Sequence, residues 1–75
     1  MAQEFTVMQE CLMKVLASMK MQEENKVLIA LTLEKDEEIY IFLKWLQAEM
    51  PENQVEKRQN EIIGKAVEIN KKQSI

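Results

Sequence analysis

The sequence predicts an all-α fold in which three or four short helices form a small bundle. Two segments, 5–19 and 39–50, carry apolar residues at the spacing of a helix. Residues that favour helices dominate the composition, and the chain has only one Gly and one Pro, so the connections between elements must be short. The 75 residues are enough for one domain, 1–75, whose last few residues, about 72–75, we expect to form a frayed tail.

The first helix is predicted over residues 3–21. A core stripe of apolar residues lies within an arc of roughly 100° on this helix: Phe5, Met8, Leu12, Val15, Leu16 and Met19. A fainter second apolar face consists of Val7, Met13, Ala17 and Met21. Methionine suits adaptable binding surfaces, although scattered exposed methionines are also common without any function. The segment 22–25 is the predicted link, although nothing in it forbids one continuous helix.

The middle of the chain allows two interpretations. Residues 26–33, KVLIALTL, are apolar all round and fit either a short buried helix or a buried strand. The polar segment 34–38, EKDEE, follows, and within it Asp36 is a candidate N-cap whose next two residues are acidic, as the start of a helix favours. A helix over 37–50 would then end before Pro51.

The alternative is an α+β fold with a β-hairpin at about 27–43. Its β-branched and aromatic residues favour strands. Two features favour helices instead. The apolar pattern continues at helical spacing to Met50, and EKDEE lacks the glycine that tight hairpin turns prefer.

The last helix is predicted from residue 54 to about 71. Asn53 and Glu56 have the spacing of a capping box. The apolar face of this helix consists of Val55, Ile62, Ala66 and Ile69, and Gly64 lies on the opposite side. A glycine inside a helix costs roughly 1 kcal/mol relative to alanine. The sequence leaves open whether Gly64 marks a break or a close approach of another backbone.

Residues 39–46, IYIFLKWL, are apolar on two sides of the predicted helix. Ile39, Phe42, Leu43, Leu46 and Met50 form one core face, and Ile41, Trp45 and Ala48 form a strip on the far side. Either other helices cover both sides, or Ile41 and Trp45 face a partner. Trp is enriched in the energetic centres of interfaces, and contiguous exposed apolar patches are uncommon on monomers.

The composition argues against several classes of function. The chain has no His and a single cysteine, Cys11, which excludes an intrachain disulfide and argues against structural zinc and a cysteine–histidine nucleophile. One glycine is too few for a glycine-rich phosphate loop. We therefore expect no enzyme, cofactor, metal or small-molecule substrate. Cys11 is expected to be a half-buried structural thiol.

The expected compartment is the cytoplasm. A single thiol suits a reducing environment, the N-terminal segment does not resemble a signal peptide, and no apolar run of about 18 residues could span a membrane. A short, acidic chain that begins at Met1 is typical of a complete reading frame for a small microbial or phage accessory protein.

These observations favour a non-enzymatic protein–protein interaction or self-association module. A homodimer is the expected form, with Ile41 and Trp45 in its contact surface. A core of this size usually supplies only about 3–5 kcal/mol of stability, so a second copy would add stability that the single chain lacks.

The alternative is a small nucleic-acid-binding regulator that uses the basic face of the last helix. Arg58, Lys65 and Lys72 recur every seven residues and form a stripe that could lie against phosphates. Two observations argue against this. Glu61 and Glu68 each precede a lysine of the stripe by four residues, which favours ion pairs within the helix, and the net charge of −3 gives no general attraction to nucleic acid.

Overall fold

The computed structural model describes residues 6–49 and 55–73, which form four helices. They are α1 (Val7–Ser18), α2 (Glu23–Thr32), α3 (Asp36–Glu49) and α4 (Gln59–Gln73). No strand occurs in the described residues, so the predicted all-α bundle is confirmed and the alternative hairpin at 27–43 is wrong. Among these residues no helix combines the length and apolar character needed to cross a membrane.

The four helices pack in a closed ring. α1 packs against α2 and α3, and α4 packs against the same two helices. Within the described residues the diagonal pairs, α2 with α3 and α1 with α4, do not pack against each other. The core at the centre of the ring consists of Leu12, Leu16, Met19, Ile29, Leu33, Ile39, Phe42, Leu46, Val55, Ile62, Ala66 and Ile69.

The core faces predicted for α1, α3 and α4 are confirmed. Their described members are buried or, in the case of Met8, Val15 and Leu43, partly buried against the core. Phe5 and Met50 lie outside the described residues. One glutamate, Glu38, joins the apolar core as a buried charged residue, with 2% of its surface exposed.

The start of α1 is set by a capping box rather than by the apolar pattern. The backbone N–H of Gln9 donates to Thr6 Oγ1 over 3.1 Å, and the backbone N–H of Thr6 donates to Gln9 Oε1 over 2.9 Å. These reciprocal bonds satisfy donors that the first helical turn leaves without partners. The helix therefore begins at Val7, four residues after the predicted start.

The break between the first two helices lies at residues 19–22, so the prediction of a link at 22–25 is wrong. Met19 has an extended backbone (φ −81°, ψ 144°), and its side chain is buried in the core. Ser18 Oγ also bonds back to the Val15 carbonyl over 2.8 Å. Glu23 and Glu24 lie in the first turn of α2, where the helix dipole favours negative charge.

The start of α3 differs from the prediction by one residue. The Lys35 carbonyl accepts a bond of 3.0 Å from the N–H of Ile39, so Lys35 is in the N-cap position and Asp36 is already helical. The buried Glu38 carboxylate accepts from the backbone N–H groups of Glu34 (3.1 Å) and Lys35 (3.0 Å). These bonds explain why a charged side chain is tolerated in the core.

A turn at residues 55–58 precedes α4, so this helix begins five residues later than predicted and extends to Gln73. The predicted capping box involves Asn53, which lies outside the described residues. Gly64 neither breaks the helix nor permits a close approach. The helix continues through it, and a Cβ added there would meet no neighbouring atom within 4 Å in the described structure.

Candidate interaction surfaces

The described residues contain little that could support catalysis or metal binding. No group of three or more His, Cys, Asp or Glu side chains in these residues could hold a metal ion. Cys11 is exposed, so the prediction of a half-buried thiol is wrong. It lies on α1 next to the buried Leu12, on a side of the helix that is exposed. The features that could carry a function are therefore apolar and charged surfaces.

The two predicted partner residues on α3, Ile41 and Trp45, differ in their exposure to solvent. Trp45 is half-buried against the core, with its ring centroid 6.2 Å from that of Phe42. The Lys65 ammonium lies 5.8 Å from the centroid of the Trp45 ring, so α4 covers part of the indole.

Other residues on the outer side of α3 are exposed. Ile41 is 39% exposed, and Ala48 is exposed as well. Tyr40 adds a ring that is 55% exposed, with Lys44 lying 5.9 Å from its centroid.

A second exposed apolar surface lies on α2. Val27 is 54% exposed, Leu28 45% and Leu31 69%, and we call these three residues the α2 face. The prediction that the segment 26–33 is buried therefore holds only for its inner side, where Ile29 and Leu33 are in the core. A helix at one corner of a ring has neighbours on one side only, so its outer apolar residues remain uncovered.

A groove between α1 and α2 adjoins the α2 face. It has a volume of about 450 Å³, and its apolar lining consists of Leu12, Met13, Ala30, Leu31 and Leu33, with Gln9 and Glu34 as polar lining residues. Met13 on α1 is 49% exposed. Leu31 belongs both to the groove and to the α2 face, so the two features form one continuous surface. Since Gln9 near the start of α1 and Glu34 after the end of α2 line the same groove, the two helices run in opposite directions.

The basic residues of the predicted nucleic-acid stripe form ion pairs within the chain. Arg58 Nη2 lies 2.5 Å from Glu61 Oε2, Lys65 Nζ lies 3.6 Å from Glu68 Oε1, and Lys72 Nζ lies 3.3 Å from the same oxygen. The predicted pair of Glu68 with Lys72 is thus present, whereas Glu61 pairs with Arg58 instead of Lys65.

The electrostatics of α4 agree with this pairing. A hydrogen bond from Lys72, and then the charge of Lys65, hold the pKa of the Glu68 carboxyl below its ordinary value of 4.5. Phosphate groups would have to compete with these carboxylates for the lysines. No feature of the described residues therefore adds support to nucleic-acid binding beyond the spacing of the basic residues.

Comparison of the chain with models of protein families, with curated proteins and with solved structures finds no match. The sequence pattern identified the apolar character of 26–33, but it could not identify which side the fold would leave exposed. The nearest signal was the position of Val27 and Leu31, four residues apart and opposite Ile29 on a helix.

Proposed function

We propose that the protein is a non-enzymatic protein–protein interaction module that associates with itself. The observation that carries this proposal is the α2 face together with the adjoining groove. Four large apolar side chains, Met13, Val27, Leu28 and Leu31, are each about half exposed or more. Monomeric proteins rarely expose contiguous apolar patches of this kind without a binding function.

The apolar area of this surface sets an upper limit on the affinity of association. Burial of a fully exposed Leu, Val or Met side chain contributes about 1.5–3 kcal/mol, so four half-exposed side chains in each of two copies contribute roughly 6–12 kcal/mol. Association costs at least about 4 kcal/mol in lost freedom of motion. The net gain is therefore at most roughly 2–8 kcal/mol, and the tightest dissociation constant that this surface could give is micromolar.

A reducing cytoplasm is the compartment that suits this proposal. Cys11 is exposed, and an exposed thiol in an oxidising compartment would be prone to form disulfides between chains. The self-association that we propose depends on apolar contacts and needs no such bond.

Sedimentation velocity from about 1 µM, the tightest dissociation constant that the surface could give, to about 1 mM tests the proposal. We expect the mass-averaged sedimentation coefficient to rise with concentration. The midpoint of thermal unfolding should rise as well, because association stabilises only the folded state. A chain that remains monomeric throughout this range, with a constant midpoint, would contradict self-association.

A further inference from the structure

We propose that the connection at residues 33–35 is a hinge through which two copies of this chain exchange halves. In the open form, α2 and α3 join into one continuous helix, and the first half of one copy (α1 and α2) packs against the second half of the other (α3 and α4). The Glu38 carboxylate keeps the hinge closed in the single chain. This inference goes beyond the proposed function, since it needs none of the exposed apolar surface on which that proposal rests.

The packing of the ring permits such an exchange. Each half has its own internal contact, and the two halves hold each other only through α1 with α3 and α2 with α4. Within the described residues α2 and α3 do not pack against each other. Every helix contact that opening breaks can therefore be restored by a second opened copy, which makes the exchange of identical elements a low-cost route to a dimer.

The hinge has the sequence of a helix rather than that of a loop. Leu33, Glu34 and Lys35 are all strong helix formers, and no Gly or Pro lies between residues 23 and 49. Leu33 follows the buried Ile29 by four residues, so a continuous helix would keep both side chains on one side. From 23 to 49, such a helix would be about 40 Å long.

Opening would also give the backbone of the hinge regular partners. In the closed form Leu33 has an extended conformation (φ −96°, ψ 92°), which interrupts the helix. In a continuous helix, the N–H groups of residues 34–38 would donate to the carbonyl groups of residues 30–34. The end of one helix and the start of the next leave such groups without partners inside a helix.

The closed form depends on the Glu38 side chain, which replaces part of this bonding. Glu38 is only 2% exposed, and one of its carboxylate oxygens accepts from the N–H groups of Glu34 over 3.1 Å and Lys35 over 3.0 Å. Hydrogen bonds to a charged acceptor are stronger than those between neutral groups. A continuous helix would take both donors away from the carboxylate.

Two further features favour the closed form of a single chain. The Asn70 amide donates to the Thr32 carbonyl, which a continuous helix would use for its own backbone. In that helix Glu34 would lie three and four residues before Glu37 and Glu38, and like charges at these spacings repel each other. A short connection also gives the two halves an effective concentration of about millimolar. We therefore expect the exchanged dimer at high protein concentration or after loss of the Glu38 bonds.

The first experiment removes the Glu38 bonds. Glu38→Leu takes away the acceptor of the two N–H groups in each of two hinges, so it should raise the association constant about a hundredfold or more. Glu37→Leu is the control, because it introduces the same residue at an exposed neighbouring site and leaves the bonds intact. It should change the constant by no more than about fivefold. Sedimentation measures both constants, and circular dichroism confirms that both variants are folded.

The second experiment adds Lys35→Gly to the Glu38→Leu chain. Lys35 is in the N-cap position of the closed form, where glycine is well tolerated, whereas glycine inside a continuous helix is unfavourable. Each exchanged dimer contains two such helices, so the association constant should fall by about tenfold or more.

The third experiment does not depend on the folding of Glu38→Leu. Asn25 on α2 and Gln59 on α4 are hydrogen-bonded over 3.0 Å between the two halves. In a Cys11→Ser background, Asn25→Cys and Gln59→Cys chains are unfolded together, refolded at about 1 mM and treated with a short bismaleimide. We expect a link from residue 25 of one copy to residue 59 of the other. A mixture of Asn25→Cys with Tyr40→Cys is the control and should link poorly.

The outcomes separate this inference from the proposed function. An exchanged dimer must open its core to separate, so it should dissociate slowly after dilution. A wild-type chain that associates rapidly and reversibly, and whose refolded mixture gives no 25–59 link, would overturn the exchange while self-association through an exposed surface stands. A chain that gives the link only after refolding, and otherwise stays monomeric, would support the exchange and overturn the proposed function. Equal association constants for Glu38→Leu and Glu37→Leu would overturn the role of Glu38.

Discussion

The outer sides of α2 and α3 are similar in sequence and different in structure. Both segments are apolar nearly all round, and each helix packs against α1 and α4. On α3, the large Trp45 side chain reaches back to Phe42 and is partly covered by Lys65. On α2, the shorter side chains of Val27 and Leu31 lie opposite the buried Ile29 and remain exposed. The large Trp45 side chain on the outer side of α3 thus reaches the core, whereas the shorter aliphatic side chains on the outer side of α2 do not.

Trp45→Asp tests the buried half of this comparison and should have the largest effect. Truncation of a fully buried Trp costs about 3–5 kcal/mol; the half-buried Trp45 loses part of this packing, and Asp in addition places a charge against the core. A domain of this size usually has only about 3–5 kcal/mol of net stability, so we expect the variant to be largely unfolded by circular dichroism. Tyr40→Asp, at a more exposed position on α3, is the control and should stay folded. A folded, monomeric Trp45→Asp chain derived from a dimeric wild type would instead support the predicted partner role of Trp45.

Leu33→Ala and Leu31→Ala compare the inner and outer sides of the α2 region. Leu33 is 1% exposed and Leu31 is 69% exposed. Removal of the buried side chain should cost about 2–5 kcal/mol because it leaves a cavity. Removal of the exposed one should change the stability of the monomer by no more than about 0.5 kcal/mol. Urea denaturation at low protein concentration measures both, and equal losses would show that Leu31 packs within the monomer.

Gly64→Ala provides a stabilised background in which to repeat the α3 experiments. Gly64 is in the interior of α4, and an added methyl group would meet no atom of the described structure within 4 Å. Replacement by alanine should therefore stabilise the chain by about 0.5–1 kcal/mol. A midpoint of urea unfolding that falls would show that the site does not tolerate a side chain. In the Gly64→Ala background, an α3 variant that is only partly folded would have a larger folded fraction and could be studied more easily.

Lys65→Gln tests the contact between Lys65 on α4 and the ring of Trp45, which partly covers α3 and has no equivalent on the exposed residues of α2. Its expected effect is the smallest of the four. Loss of the ammonium near the indole should cost about 0.5–1 kcal/mol and should change the fluorescence of Trp45, the only Trp in the chain. Lys72→Gln removes another lysine that pairs with Glu68 but does not lie over the ring. It should leave the fluorescence unchanged, and an equal change in both variants would contradict a specific contact with Lys65.

The sequence was sufficient to predict the fold class and most of the core, since helical spacing determines which residues share a face. It was less accurate at the helix ends. The capping box at Thr6 and the bonds of Glu38 to Glu34 and Lys35 depend on particular side-chain geometries, so several boundaries moved by one to five residues.

The candidate surface could be predicted only in part. The pattern of IYIFLKWL indicated two apolar sides on α3, and Ile41 is indeed exposed. The exposure of Leu31 could not be derived from KVLIALTL, because it depends on which helices are neighbours in the ring. That arrangement is set by contacts between segments far apart in sequence, such as Asn25 with Gln59 over 3.0 Å.

The short connection between α2 and α3 lies close to both ends of the described chain and is hydrogen-bonded to residues near each of them. Thr6, just before α1, donates from its hydroxyl to Asp36, and Asn70, near the end of α4, donates from its amide to the Thr32 carbonyl. Both ends therefore lie at the same end of the bundle, on either side of the short connection between two diagonal helices. Ends that lie close together are the usual condition for circular permutation. The four helices could thus be linked in a new order, from α4 directly to α1, with the chain opened at residues 19–22.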